Sequence, residues 1–159
     1  METIEQAKQE LRQYWIEGCI CPCCGQDVVR YDRQIYKTIA KQLISLYRLN
    51  QGKPGFYHVR TIAANMPKGG PKVIGGDFAK LRYWGLIEQG DNDDPDKRSS
   101  GTWRITAKGI DFVEKRITIP KFAYTYNKKC VGMGGPQVSI LDCLRKDKFK
   151  YGELMGFLI

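Results

Sequence analysis

The stretch between Val73 and Lys115 constrains the fold more than any other. Phe78 and Leu81 mark one face of a helix over residues 73–83, and Gly85 stands where a glycine just past a helix end stops it. Leu86-Ile87-Glu88-Gln89 then reads as a strand, residues 90–101 as a polar loop, and Thr102-Trp103-Arg104-Ile105 as the returning strand of a hairpin. Thr106 has the hydroxyl to cap a helix over residues 107–115, in which Ile110 and Val113 are three apart. A helix, a hairpin and a helix joined this tightly bury their apolar sides together, so the fold class expected is α+β.

Upstream, apolar spacing gives three more helices. Ile4, Ala7, Leu11, Tyr14 and Trp15 recur at helical spacing over residues 2–17, and Gly18 ends the run. Residues 19–26 must turn tightly, and residues 28–31 suit a short strand. Ile35, Ile39, Leu43, Leu46 and Tyr47 form the stripe of a helix over 33–49, broken by Asn50-Gln51-Gly52-Lys53-Pro54-Gly55. A short strand over 56–59 and a helix over 60–65, carrying Ile62 and Ala63 inward, precede the basic turn Lys68-Gly69-Gly70-Pro71-Lys72. Downstream, Phe122, Tyr124 and Tyr126 alternate in a strand over 121–131, residues 132–136 are expected to turn, and short helices follow over 138–144 and 151–157. The organisation expected is an N-terminal helix with a cysteine-rich turn (1–31), a central unit (32–118) and a small α/β extension with a hairpin and short helices (119–159).

The net charge of +9 is unevenly placed. Residues 1–30 sum to −2, 31–90 to +7, 91–118 to zero and 119–159 to +4. A local positive field attracts phosphate backbones and speeds encounter with them; the alternative is a solvated basic surface that only keeps the protein soluble. No apolar run approaches the roughly 20 residues needed to cross a bilayer. The first residues lack the basic-then-apolar pattern of a secretory leader, so a cytoplasmic location without membrane attachment is expected. With one histidine, His58, and no nucleophile motif beside it, hydrolase-type triads have no support. Gly132-Met133-Gly134-Gly135-Pro136 lacks the lysine of a phosphate-binding loop, and the protein is expected to be non-catalytic.

Of six cysteines, Cys19, Cys21, Cys23 and Cys24 fall within six residues. In a reducing compartment such a cluster points to metal rather than disulfides. Cys21-Pro22-Cys23-Cys24-Gly25 holds a Cys-x-x-Cys-Gly knuckle of the zinc-ribbon kind, whose glycine lets backbone amides turn towards the sulfurs. Two thiolates at this spacing supply half of a structural zinc site. Cys19 or Cys23 can add a third ligand, and His58, Cys130 or Cys143 a fourth after folding. A metal-free turn with reduced thiols satisfies the same residues. Redox chemistry is disfavoured, because the pair follows a helix and precedes a strand.

Two segments carry a resemblance. Leu81-Arg82-Tyr83-Trp84-Gly85-Leu86-Ile87-Glu88 matches the Leu-x-x-x-Gly-Leu-Ile step from recognition helix to wing in many winged-helix regulators. Trp103-Arg104-Ile105-Thr106-Ala107-Lys108-Gly109 ends in their Ile-Thr-x-Lys-Gly return. The chain resembles winged helix-turn-helix proteins over about half its length, and its Cys-Pro-Cys-Cys-Gly turn makes it similar to small bacteriophage and prophage proteins. The resemblance implies a regulator of transcription that binds double-stranded DNA in a bacterial cytoplasm. It places the fourth helix in the major groove, with Lys72, Asp77, Lys80 and Arg82 as contacts and Arg60, Lys68 and Lys72 on phosphates. Lys97 and Arg98 are the cations of the wing. Asp91, Asp93, Asp94 and Asp96 in the same tip repel phosphate, which leaves open a winged-helix module that binds a protein, such as a host factor, and no DNA. Single-stranded nucleic acid on Tyr124 and Tyr126 is a third reading. A homodimer through the first helix (Tyr14, Trp15) or through residues 154–159 is also open.

Overall fold

The computed structural model describes residues 3–21, 24–66 and 76–156. Helix α1 (Ile4–Tyr14) leads into the small hairpin of β1 (Cys19–Ile20) and β2 (Asp27–Val28), then β3 (Tyr31–Gln34) and the long helix α2 (Lys37–Gly52). Strand β4 (Tyr57–His58), helix α3 (Val59–Ala64), a 3-10 helix (Gly76–Trp84), strands β5 (Ile87–Gln89) and β6 (Thr102–Ile105) and helix α4 (Ala107–Val113) follow. The chain closes with β7 (Ile119–Tyr126), β8 (Lys129–Val138), helix α5 (Ile140–Leu144), a second 3-10 turn (Arg145–Lys150) and helix α6 (Tyr151–Leu154). The architecture is mixed α and β, with antiparallel sheets in the orders β1-β2, β3-β7-β8 and β4-β6-β5.

Helix α2 is the hub. It touches α3, the first 3-10 helix, β6, α4, α5 and α6, and eight of its residues from Ile39 to Tyr47 are buried. A helix buried on so much of its circumference takes polar groups inside with it. The Ser45 hydroxyl donates to the Ile62 carbonyl at 2.8 Å, whereas Gln42 Oε1 has no partner among the described residues. Fully burying a Leu or Ile side chain stabilises by roughly 1.5–3 kcal/mol, so Leu43, Ile44 and Leu46, all at most 1 % exposed, hold this helix more than its intrinsic propensity does. The same core takes in Phe78, Leu81, Trp84, Leu86 and Phe112, and also Ile119, Ile140, Leu144 and Leu154, so it runs across the expected 118/119 boundary.

Several expected elements are placed differently. Residues 31–34 are a strand rather than a short strand end and the start of a helix, because they pair with β7 from Tyr31↔Thr125 to Gln34↔Phe122. Helix α2 therefore begins at Lys37, and it runs through Asn50 and Gln51, since the Lys53 amide still donates to the Leu49 carbonyl at 3.0 Å; Pro54 is the true stop. The helix expected over 73–83 is 3-10 over its described part. Its buried residues Phe78, Leu81 and Trp84 recur every three positions, which lines them up at three residues per turn. Finally, residues 132–136 do not turn. Asn127 and Lys128, both at positive φ (49° and 62°), make a two-residue hairpin turn, and β8 continues through the glycines with a register shift on either side of them. A Cβ on Gly134 would lie 2.1 Å from the Tyr124 hydroxyl and one on Gly135 2.6 Å from the Phe122 ring, so the glycines make room for rings lying across the sheet. Pro136 is tolerated because β8 is an edge strand.

Candidate nucleic-acid interface

The 3-10 helix and the β5–β6 hairpin are fastened at one point. Gly85 takes the left-handed conformation (φ 73°), and the Leu86 amide reaches back to the Leu81 carbonyl at 3.4 Å. Thr106 holds the far side: its hydroxyl donates to the Gly85 carbonyl at 2.6 Å and accepts from the Gly109 amide at 3.0 Å, capping α4. Below, Phe78 meets Trp103 edge-on at 6.2 Å, and the Trp84 indole donates to the Pro120 carbonyl at 2.8 Å. Two buried anchors and a capped turn fix the direction in which this segment faces solvent.

The expected cations fare unequally. Arg60 is exposed on α3, and Arg82 is exposed with its guanidinium 5.2 Å from the Tyr83 ring. Lys97 and Arg98 are exposed in the β5–β6 loop. Lys68 and Lys72 lie outside the described residues. Lys80 is not a free cation: it pairs with Asp77, whose other oxygen accepts from the Tyr36 hydroxyl at 2.7 Å. Lys80 and Tyr36 hold the Asp77 carboxyl below its ordinary range, while burial and the Asp77 hydrogen bond push Tyr36 up to about 12. Asp77 and Lys80 therefore position the 3-10 helix against Tyr36. Lys108, which the sequence reading passed over, is exposed, and its side chain packs 3.8 Å from the place a Gly85 Cβ would occupy. Its place in the first turn of the helix that Thr106 caps was the available signal.

The loop tip is built by its own polar groups. Asn92 donates to the Lys97 carbonyl at 2.7 Å, Asp94 Oδ1 accepts from the Asp96 amide at 2.9 Å, and all four aspartates are exposed. Tyr124 and Tyr126 are engaged rather than bare. The Arg30 guanidinium lies 3.9 Å over the Tyr124 ring, and Trp15 stands 5.5 Å from Tyr126.

The cysteine turn forms a knuckle between β1 and β2. The Cys21 amide donates to the Gln26 carbonyl, the Gly25 amide donates to the Cys21 carbonyl at 2.9 Å, and Gly25 sits at φ 73°. Cys19 and Cys21 are half-buried and Cys24 exposed; Cys23 lies outside the described residues. His58 belongs to the β4-β6-β5 sheet, where its Nδ1 accepts from the Arg60 amide at 3.1 Å and its ring packs against Gly101, so it caps α3. Cys130 is exposed, and burial raises the Cys143 thiol to about 12. Among the described residues no three Cys, His, Asp or Glu side chains gather where they could hold a metal ion.

No family model, curated protein or solved structure matches the chain. Among the described residues no helix is long and apolar enough to cross a membrane.

Proposed function

We propose that residues 32–118 form a winged helix-turn-helix unit that binds double-stranded DNA without catalysing a reaction, in the manner of a phage-type transcriptional regulator. The observation that carries this reading is the strand order β4-β6-β5. The short strand after α2 pairs with the returning strand of the hairpin, enclosing α3 and the 3-10 helix between them in the chain. In that arrangement the 3-10 helix faces the major groove. Arg60, Arg82 and Lys108 reach phosphates, while Lys97 and Arg98 lie at the wing.

The test is duplex affinity against salt. Four or five phosphate contacts give a slope of log K on log salt of roughly −4, from about −0.9 per contact. Arg82→Ala should weaken binding and shallow the slope by about one. Lys80→Ala should leave the slope unchanged. No binding at low salt, or equal slopes for wild type and Arg82→Ala, sinks the reading. A second reading, a module that binds a basic protein and no DNA, is favoured by the four exposed aspartates of the tip. Stoichiometric capture of a protein partner without duplex affinity would select it.

A further inference from the structure

Helix α1 is strongly amphipathic, yet none of its residues is buried. Its 11 residues fall below the length at which isolated helices hold in water, roughly 12–15 residues, and helices of this kind are stabilised by packing their apolar face. The Thr3–Gln6 capping box and the Lys8–Glu5 pair, at 3.2 Å, secure one end only. Ile4 is 75 % exposed and Tyr14 53 %, and Ile16 and Ile20 just beyond the helix are exposed as well. Trp15 and Leu11, with Lys8 and Arg12 beside them, wall a cleft of about 700 Å³ that Val28, Tyr126 and Val131 also line. Exposed apolar side chains grouped in this way, rimmed by charge, mark an interface.

We propose that a second copy of this chain covers it, the two α1 helices packing antiparallel about a two-fold axis. The charges of α1 select both partner and direction. At 100° per residue, Glu5, Lys8 and Arg12 line one flank of the apolar stripe and Glu10 the other. In an antiparallel two-fold pair like flanks meet, as isologous contact requires, so each Glu5 comes within one residue of the Arg12 of the second copy. The two Lys8 side chains meet near the axis, each offset by its own Glu5 at 3.2 Å. In a parallel pair unlike flanks meet, which sets Glu5 against Glu10 and repels. The antiparallel register also puts Ile4 against Tyr14 and the small Ala7 against Leu11, so the helices can approach closely.

The experiment is the mass of the full chain by sedimentation equilibrium over a micromolar-to-millimolar series. The mass should double with concentration. Leu11→Asp should hold it at one chain. Glu5→Lys and Arg12→Glu should each raise the dimer dissociation constant about tenfold, by turning both symmetry-related pairs into repulsions. The double variant Glu5→Lys/Arg12→Glu should return it to near the wild-type value. Because no α1 residue is buried in a single copy, these variants keep the core intact, and an unchanged melting transition checks that. A one-chain mass throughout, a dimer indifferent to Leu11→Asp, or a double variant as weak as the singles each overturns the proposal.

Discussion

Tyr36 shows how one hydroxyl can orient a solvent-facing element from beneath. Its bond to Asp77 reaches across 41 positions and fixes the carboxylate that holds Lys80. The sign of its pH dependence follows from the raised value. Unfolded, the phenol ionises near 10; folded, it does so at about 12, because burial and the neighbouring Asp77 oppose the phenolate. The stabilisation is therefore complete below pH 10 and is lost as pH rises from 10 towards 12. Asp77, held low, adds the mirror case: its share is present above the usual carboxylate range and disappears as pH falls through its depressed folded value. Tyr36→Phe should cost roughly 0.5–1.5 kcal/mol at neutral pH and flatten the fall in stability above pH 10. Urea melts at pH 7 and pH 11 measure both; an unchanged pH 11 deficit would show that the bond carries no such linkage.

At the scale of elements, α4 packs with no room to spare on the start of the hairpin. A Cβ at Gly109 would stand 2.2 Å from the Leu86 carbonyl oxygen and 2.7 Å from Ile105, both fixed by the sheet. Gly109→Ala should therefore destabilise by about 1–3 kcal/mol. Gly52→Ala, at the end of α2 with open space around it, should be neutral or stabilise by roughly 0.4–1 kcal/mol. Thermal melts of the two variants separate the effects, and equal midpoints would contradict the packing. This region was also the most legible in the sequence. The Gly85 stop, the hairpin over 87–105 and the Thr106 cap are all local chemistry, written within a few residues of where they act. What was not legible depends on distant partners. Tyr31–Gln34 is too polar to announce a strand, and its partner lies about 90 residues on. Gly132–Pro136 reads as a turn unless Phe122 and Tyr124 are known to lie over it. At the candidate site Arg60 and Arg82 are exposed, but nothing near Lys80 in sequence reveals Tyr36 beneath Asp77.

For the whole molecule, the core ignores the segments that composition suggests. Trp84 depends on the Pro120 carbonyl, Tyr151 donates to the Val113 carbonyl at 2.6 Å, and Lys41 pairs with Asp147 at 2.8 Å. A fragment of residues 32–118 should therefore lack a cooperative melt and fixed near-ultraviolet dichroism, whereas the full chain shows both; a cooperatively folding fragment would contradict the shared core. The β3–β7 pairing also sets a timetable during synthesis. At roughly 5–20 residues per second, β3 waits on the order of 5–20 s for β7 to emerge from the ribosome. Through that interval it is a bare strand edge open to other nascent chains. Asp32 and Arg33, which hid the strand from periodicity, are the kind of charged residues that discourage such mispairing. The residues that obscure β3 in the sequence thus guard it while it is alone.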